Sequence, residues 1–501
     1  MREWLDSPAG LGGVAVLALA AAAWAADLFG FLPSPKHESA TAFGTAEWAD
    51  KRELKRAGLL GSDGLILGRQ GRRLLRLSTD RHLLTLAPTR AGKGVSSIIP
   101  NLLTYRGSVF VVDVKGENAA IAARRRRAMG QAVHVLDPWG ISGVKSCAFN
   151  PLDLIDLRSP DVAEDAAMLA DALVYGRDGD SHWDDEARAL LVGLILHVAS
   201  IEPAGTRTLA KVRELVALPP DDFAVLLDDM ALNLSAHGLV ARCAHRLRQK
   251  ADRERSGVVS TAQAHTHFLD SPRMAQVMGG SDFEMADLKR KRVSVFVVLP
   301  AERIATFNRW LRLMVGFALT AMARTPGKPS LPVLFLLDEF AALGRLSAVE
   351  TAMGLMAGYG AQLWPILQDL SQLKGLYGER WRSFVANAGV VQAFNVSDPL
   401  TAEQLSAMLG KRTATVRSVS SSSRGGKREG TGSTNFSSVA RPLLLPDEIM
   451  RLPADKEILF VQGRRPVLAT KPLYFADSEF RGLFDANPWR STTLKMKGAS
   501  P

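Results

Sequence analysis

Apolar residues fall along this chain in four patterns, each predicting a different kind of structure. The first is an N-terminal run. From Ala9 to Ala26 every residue is Ala, Gly, Leu, Val or Trp; Asp27 interrupts, and the run resumes through Phe31 and Leu32. Eighteen uncharged residues are about the minimum to cross a hydrocarbon core of roughly 30 Å, so a transmembrane anchor is predicted over residues 9–32, after a short tail at 1–8. A cleaved leader ending near Ala23–Trp24–Ala25 and a buried Ala-rich helix are the competing readings. Against the leader, the residues before the run include Arg2, Glu3 and Asp6 and are barely positive. Lys36, Lys51, Arg52, Lys55 and Arg56 follow the run, which predicts that the bulk of the chain lies on the cytoplasmic side.

The second pattern is a series of short apolar runs, each predicting a strand. They are His82–Ala87, Ser108–Val112 (ending at Asp113), Val293–Leu299, Val333–Leu337, Gln362–Leu367, Val390–Phe394 and Ile458–Val461. Near-continuous Val, Ile, Leu and Phe suit strands covered on both faces, as in a parallel sheet flanked by helices. Pro365 breaks the Gln362–Leu367 run and predicts a bulge or a later strand start, because proline donates no ladder hydrogen bond. The third pattern, from 155 to 285, is Ala-, Leu-, Asp- and Arg-rich sequence at helical spacing, without strand-like runs. It predicts an all-α domain inserted into an α/β domain. The fourth is Ser-, Gly- and Arg-rich sequence at 414–440, read as a flexible basic loop. A polar linker opened by Pro33 and Pro35 is predicted for 33–60, and a C-terminal tail for 481–501.

Composition narrows the class only slightly. With 47% hydrophobic and 23% charged residues, the chain is folded rather than disordered. Cys147 and Cys243 lie far apart, which argues against a disulfide scaffold or zinc site. A net charge of +11 permits nucleic acid or anionic membrane as partner without choosing between them.

The candidate chemistry sits at strand ends. Ala87–Ser96 reads APTRAGKGVS, between a predicted strand and a helix over Val95–Leu103. This is the setting of a Walker A loop, in which backbone N–H groups at a helix N-terminus cradle phosphates and a lysine neutralises them. It predicts nucleotide contacts from Thr89, Arg90, Ala91, Gly92, Lys93, Gly94 and Val95. The match is imperfect: Ala87 stands where the first glycine belongs, and Gly94 where a magnesium-binding hydroxyl belongs. Asp338–Glu339 end an apolar strand, as Walker B chemistry requires, with Asp338 for the magnesium shell and Glu339 to polarise water. Asp113 and Lys115 close another strand and are placed to reach the nucleotide or its metal. Gln368 follows the Gln362–Leu367 strand and suits a γ-phosphate sensor. ATP and Mg2+ are the expected ligands, the α/β domain being nucleotide-binding over 61–154 and 286–480. No Ser–His–Asp or Cys–His set stands out; His182, His265 and His267 read as surface or packed residues. Arg124–Arg127 read as a solvated helix face, with phosphate contact as the alternative.

Together these segments resemble the type IV coupling proteins, the TraG/TraD-like ATPases of conjugation and type IV secretion. The likeness spans about Phe43 to Phe475 and rests on ordered blocks: APTRAGKGVSSIIPNLLTY (87–105), VVDVKGEN (111–118), FNPLDLI (149–155), WDDEARALLVGLILHV (183–198), LLDEFAALGRL (336–346) and GYGAQLWPILQDLSQLKGLYG (358–378) among them. The resemblance implies a RecA-like P-loop NTPase motor with an inserted all-α domain and an N-terminal transmembrane helix, assembled as a homohexamer at the inner membrane. It further implies single-stranded DNA, relaxase or effector cargo, and secretion-channel components as partners. Gly94 is common in this family, and with it Ser96, a water or Asp338 takes a larger part in holding the metal. Two departures stand out. The chain has room for one N-terminal helix where the family usually has two. No arginine finger is assignable: Arg345, Arg380 and Arg382 are candidates, while position 359 is Tyr.

Overall fold

The computed structural model describes residues 41–174, 181–421 and 432–489. The predicted anchor at 9–32 lies outside them, and among the described residues no helix is long and apolar enough to cross a membrane. Two compact units can be distinguished among the described residues: one comprises those of 41–47 and Glu403–Ile449, the other those of Trp48–Ala402 and from Met450 to 489.

The larger unit is built on a sheet of eleven described strands: β1 (Leu65–Gln70), β2 (Arg73–Leu77), β3 (His82–Leu86), β4 (Val109–Asp113), β5 (Ala132–Leu136), β6 (Val293–Val298), β7 (Val333–Leu337), β8 (Ala361–Leu367), β9 (Ala388–Ala393), β12 (Lys456–Val461) and β13 (Val467–Thr470). Two further strands, β10 (Lys411–Ser421) and β11 (Gly432–Pro442), form a separate ladder. The order across the large sheet is β2-β1-β13-β12-β9-β3-β8-β7-β4-β6-β5. Strands β9 through β5 run parallel, and β12, β13, β1 and β2 extend the sheet antiparallel. The interior parallel strands β3, β4, β6, β7, β8 and β9 are buried along their whole length, which is why their sequences read as unbroken apolar runs. Between the neighbouring strands β5 and β6 the chain makes its longest excursion, a set of helices that includes Val162–Leu173, Ser181–Ile201, Ser235–Arg248 and Asp252–Thr266. His265 packs there between Asp184 at 2.9 Å and Arg309 at 3.1 Å.

Four local expectations change. Pro365 produces no bulge: the β7–β8 register runs unshifted through Leu337↔Pro365. On the other side the β3–β8 ladder begins only at Thr85↔Ile366. Leu363 N–H, two residues earlier and so on the same edge, is accepted by His82 Nδ1 at 3.0 Å. Burial pushes the His82 pKa down to about 4, which keeps that nitrogen free to accept. The stretch read as a linker contains a helix, Lys51–Arg56, closed by a reciprocal capping box between Asp50 and Glu53 and anchored by buried Leu54. In the smaller unit, the flanks of the predicted basic loop pair residue for residue as β10 and β11, because ladder hydrogen bonds need only backbone. The tip, 422–431, lies outside the described residues.

The fourth change concerns Arg126, which is no part of a solvated face. It is fully buried in helix Glu117–Ala128. Its Nε donates to Ser294 Oγ at 2.8 Å, Nη1 to Leu102 O at 3.3 Å and to Tyr105 O, and Nη2 to Gly107 O at 2.7 Å and Gln131 Oε1 at 2.6 Å. Burial pulls its pKa down to about 9. One guanidinium thus closes the chain between the helix Ile99–Thr104 and β4. A second polar cluster ties that helix segment to the sheet. Gln392 Oε1 accepts from Thr85 Oγ1 at 2.9 Å and Ser97 Oγ at 3.2 Å, while its Nε2 donates to Glu457 Oε2 at 2.7 Å. Asn101 exchanges two 2.8 Å bonds with the backbone of Ile66.

Two consequences can be measured. Arg126→Ala strands several buried carbonyls, so it should lower unfolding free energy by about 3 kcal/mol or more, read as a reduced urea midpoint. Burial pushes the Glu457 carboxyl from 4.5 up to about 8. A raised acid pKa favours folding most below the unfolded value, so its contribution is lost as pH rises from 4.5 through about 8. Glu457→Gln should flatten stability against pH across that window and exceed the parent chain at the alkaline end. An unchanged profile would contradict the assignment.

Candidate functional site

The loop after β3 is shaped by two left-handed residues, Arg90 (φ 65) and Gly92 (φ 94). Neither Ala87 nor Gly94 has a positive φ. Ala87 continues the strand, its N–H donating to Leu367 O at 2.8 Å, and packs with Ala91 and Phe394 in a small apolar cluster. The missing first glycine is therefore not demanded by backbone conformation. Gly92 is: a side chain there would be strained and would reach Val95 Cγ2 at 3.4 Å. Beyond it a helix opens with one wide π turn over Gly94–Ile98, then continues as Ile99–Thr104. The first N–H groups of such a helix have no intrahelical acceptor and present partial positive charge.

Lys93, at the start of that helix, reaches across β8 to the end of β7. Its Nζ pairs with Asp338 at 3.3 Å and with Glu339. Gln368, at the end of β8 between them, donates to Glu339 Oε2 at 3.3 Å. Glu339 itself is left-handed (φ 49, ψ 48), a conformation costing a non-glycine residue about 1–2 kcal/mol and typical of functional positions. Burial draws the Lys93 pKa down, but the Asp338 and Glu339 carboxylates outweigh it and the net shift is upward. Burial raises Asp338, with Lys93 opposing and Glu339 reinforcing.

The other predicted residues are less convergent. Asp113 is buried and accepts from Ala119 N at 2.9 Å and Lys115 N at 3.3 Å, capping the helix Glu117–Ala128. Burial pushes it up to about 7, against those N–H donors and with added repulsion from Asp338. Lys115 is exposed, and its carbonyl accepts from Trp489 Nε1 at 2.9 Å. Thr89 and Arg90 are exposed on the loop, while Ser96 is buried and donates its hydroxyl to Gly92 O at 2.8 Å. Arg380 pairs with Glu350 at 3.0 Å and Arg382 with Glu379 at 3.2 Å, and the Arg345 carbonyl accepts from Arg312 at 2.6 Å.

No group of three or more His, Cys, Asp or Glu side chains among the described residues could hold a metal alone. A small recessed acidic set, Asp338 beside Glu339, with the Ser96 hydroxyl three residues beyond Lys93, fits the chemistry of Mg2+, which keeps most of its shell as water and phosphate.

One contributor gave no signal in the sequence. Lys471, just past β13, donates from Nζ to Ala91 O at 2.7 Å and to Asn395 Oδ1 at 2.8 Å, and lies 4.7 Å over the Phe394 ring. Asn395 is also left-handed (φ 53). An isolated lysine 380 positions from its acceptor carries no local pattern that could announce this role.

Comparison with known proteins places the geometry in context. The family model for type IV secretory system conjugative DNA transfer matches residues 47–497. The conjugal transfer protein TraG of Escherichia coli is 31% identical over 494 residues, covering 87% of this chain and 77% of that protein. VirD4 of Agrobacterium fabrum is 32% identical over 465 residues, covering 88% and 67%. Among solved structures, the plasmid coupling protein TrwB with the non-hydrolysable ATP analogue ADPNP superposes with TM-score 0.65 at 18% identity, over 85% of this chain and 93% of that one. TrwB with ADP and Mg2+ gives 0.62 at 19%, over 85% and 94%. What is shared is an α/β fold with a large mixed sheet.

Lys471→Met should free the Ala91 carbonyl without touching Lys93. Amide hydrogen exchange in a peptide spanning residues 88–96 should then accelerate by about tenfold, equivalent to about 1.4 kcal/mol of lost protection. Unaltered exchange would remove Lys471 from the loop's support.

Proposed function

The chain belongs to the type IV secretory system conjugative DNA transfer family, and from that premise we propose that it is an inner-membrane ATPase coupling protein. It recruits relaxase-bound single-stranded DNA, or protein cargo, to a type IV secretion channel and drives transfer with ATP hydrolysis. The observation that carries the reading is the convergence of Lys93, Asp338, Glu339 and Gln368 at adjacent strand ends.

In this reading the Thr89–Val95 loop takes the phosphates on its backbone N–H groups. Lys93 exchanges a carboxylate partner for phosphate oxygen, which leaves the Glu339 carboxylate available to orient and polarise the attacking water. Gln368 restrains Glu339 and lies where it can respond to the γ-phosphate. Asp338, with Ser96 or water, would hold Mg2+, which supplies neutralisation of phosphate charge. Asp113 lies beneath, holding the next helix and biasing Asp338 electrostatically. The apolar run at 9–32 tethers the motor to the membrane. A homohexamer would bring one of Arg345, Arg380 and Arg382 to a neighbour's nucleotide.

The expected results are specific. Single-stranded DNA should stimulate ATP hydrolysis by the purified chain. Glu339→Gln should keep nucleotide binding while lowering kcat by about a hundredfold or more, and Lys93→Ala should abolish transfer with folding intact. Transfer sustained by Lys93→Ala would sink the motor reading.

A further inference from the structure

At the other end of the sheet from the Lys93 loop, where β4, β6 and β7 begin, a recessed cavity of about 700 Å³ opens. Its walls are the β1–β2 hairpin, the turn before β4 and the C-terminal end of helix Glu117–Ala128. Four arginines line it, Arg76, Arg106, Arg125 and Arg292, against a single carboxylate, Asp63. Among the described residues none of these four guanidinium groups belongs to an ion pair; Arg125 donates from Nε to Leu103 O at 3.1 Å. Arg76 is half-buried: burial lowers its pKa, and the charges of Asp63 and Glu479 only partly oppose this. A recessed guanidinium without an anion is a standing electrostatic cost, which an incoming anion would relieve.

The cavity is also preformed. Gly64 (φ +102) sits so close to the end of β2 that a Cβ there would lie 2.3 Å from Leu77 O, and one on Gly107 would meet the Tyr105 ring at 2.7 Å. One wall is thus fixed by a backbone-to-backbone approach at Gly64, the other by the packing of Gly107 against the Tyr105 ring. Fork-shaped guanidinium groups favour phosphate, which they can bind bidentately. A bounded cavity of this size suits a compact ligand, whereas a polynucleotide track requires a continuous basic stripe.

We propose that this cavity is a second anion site that takes a phosphorylated ligand of mono- or dinucleotide size, separate from the loop at Lys93. Its position at the amino ends of the strands keeps it apart from the reacting groups, so occupancy acts on the molecule without entering the hydrolytic chemistry.

The test uses the full-length chain carrying Lys93→Ala, so that phosphate captured by that loop is removed from the signal. Inorganic tripolyphosphate and the 5′-phosphorylated thymidine dinucleotide are titrated calorimetrically. Each should saturate a single site per chain and compete with the other. Arg76→Gln and Arg292→Gln should each weaken binding by about tenfold. Arg292 is exposed, so its variant keeps the fold and the result readable even if the Arg76 variant does not. Absence of saturable binding overturns the proposal, as does equal affinity in Arg292→Gln. Affinity that climbs steadily with oligonucleotide length, the dinucleotide failing to compete, overturns it too, in favour of an extended backbone track.

Discussion

The ammonium of Lys93 is held between the carboxylates of Asp338 and Glu339, each largely shielded from solvent. Charges so recessed are tolerable in company; with Lys93 removed, Asp338, already shifted upward by burial, would neutralise by taking a proton. The arrangement therefore requires that β3 and β7 flank β8 with their carboxyl ends level, and parallel pairing of β3 and β7 with β8 delivers that. Glu339 adopts a left-handed backbone at this point, and Gln368 from β8 completes the contact.

Around it, polar groups do structural work that apolar ones could not. Arg126 satisfies carbonyls on the turn leading into β4, and Gln392 links β3, β9 and β12 beneath the helix that follows the loop. Lys471 adds a clamp from above, holding the Ala91 carbonyl. Buried networks of this kind carry a desolvation cost yet admit few alternative packings. A loop that must present its N–H groups in one geometry gains from that restriction. In the basic cavity at the opposite strand ends, among the described residues, none of the four arginines belongs to an ion pair, though Arg125 donates to Leu103 O.

The sequence disclosed most where the chemistry is local. Interior parallel strands are covered on both faces, so β3, β4, β6, β7, β8, β9 and part of β12 stood out as apolar runs. Strands with charged or polar interruptions did not: β1, buried over its first four residues, is broken by Arg69, the more exposed β2 by Arg73 and Arg76, and β5 by His134. The β10–β11 ladder passed for a loop because its Ser- and Gly-rich strands are joined through backbone groups, which leave no side-chain signature. Arg126 looked solvated because it stands in a run of four arginines; its acceptors lie in turns that converge only in three dimensions.

The sequence by itself picked out Lys93 in the loop after β3 and Asp338, Glu339 and Gln368 at strand ends, because a glycine-flanked lysine between strand and helix and carboxylates closing an apolar strand are patterns of neighbouring residues. Only the tertiary structure decided that these residues touch, that Ala87 imposes no backbone penalty, and that Lys471, Arg126, Gln392 and Glu457 support them. The physical reason is separation along the chain. Local hydrogen-bonding and charge requirements leave a mark in neighbouring residues, whereas partners hundreds of positions apart are selected by sheet order and packing alone.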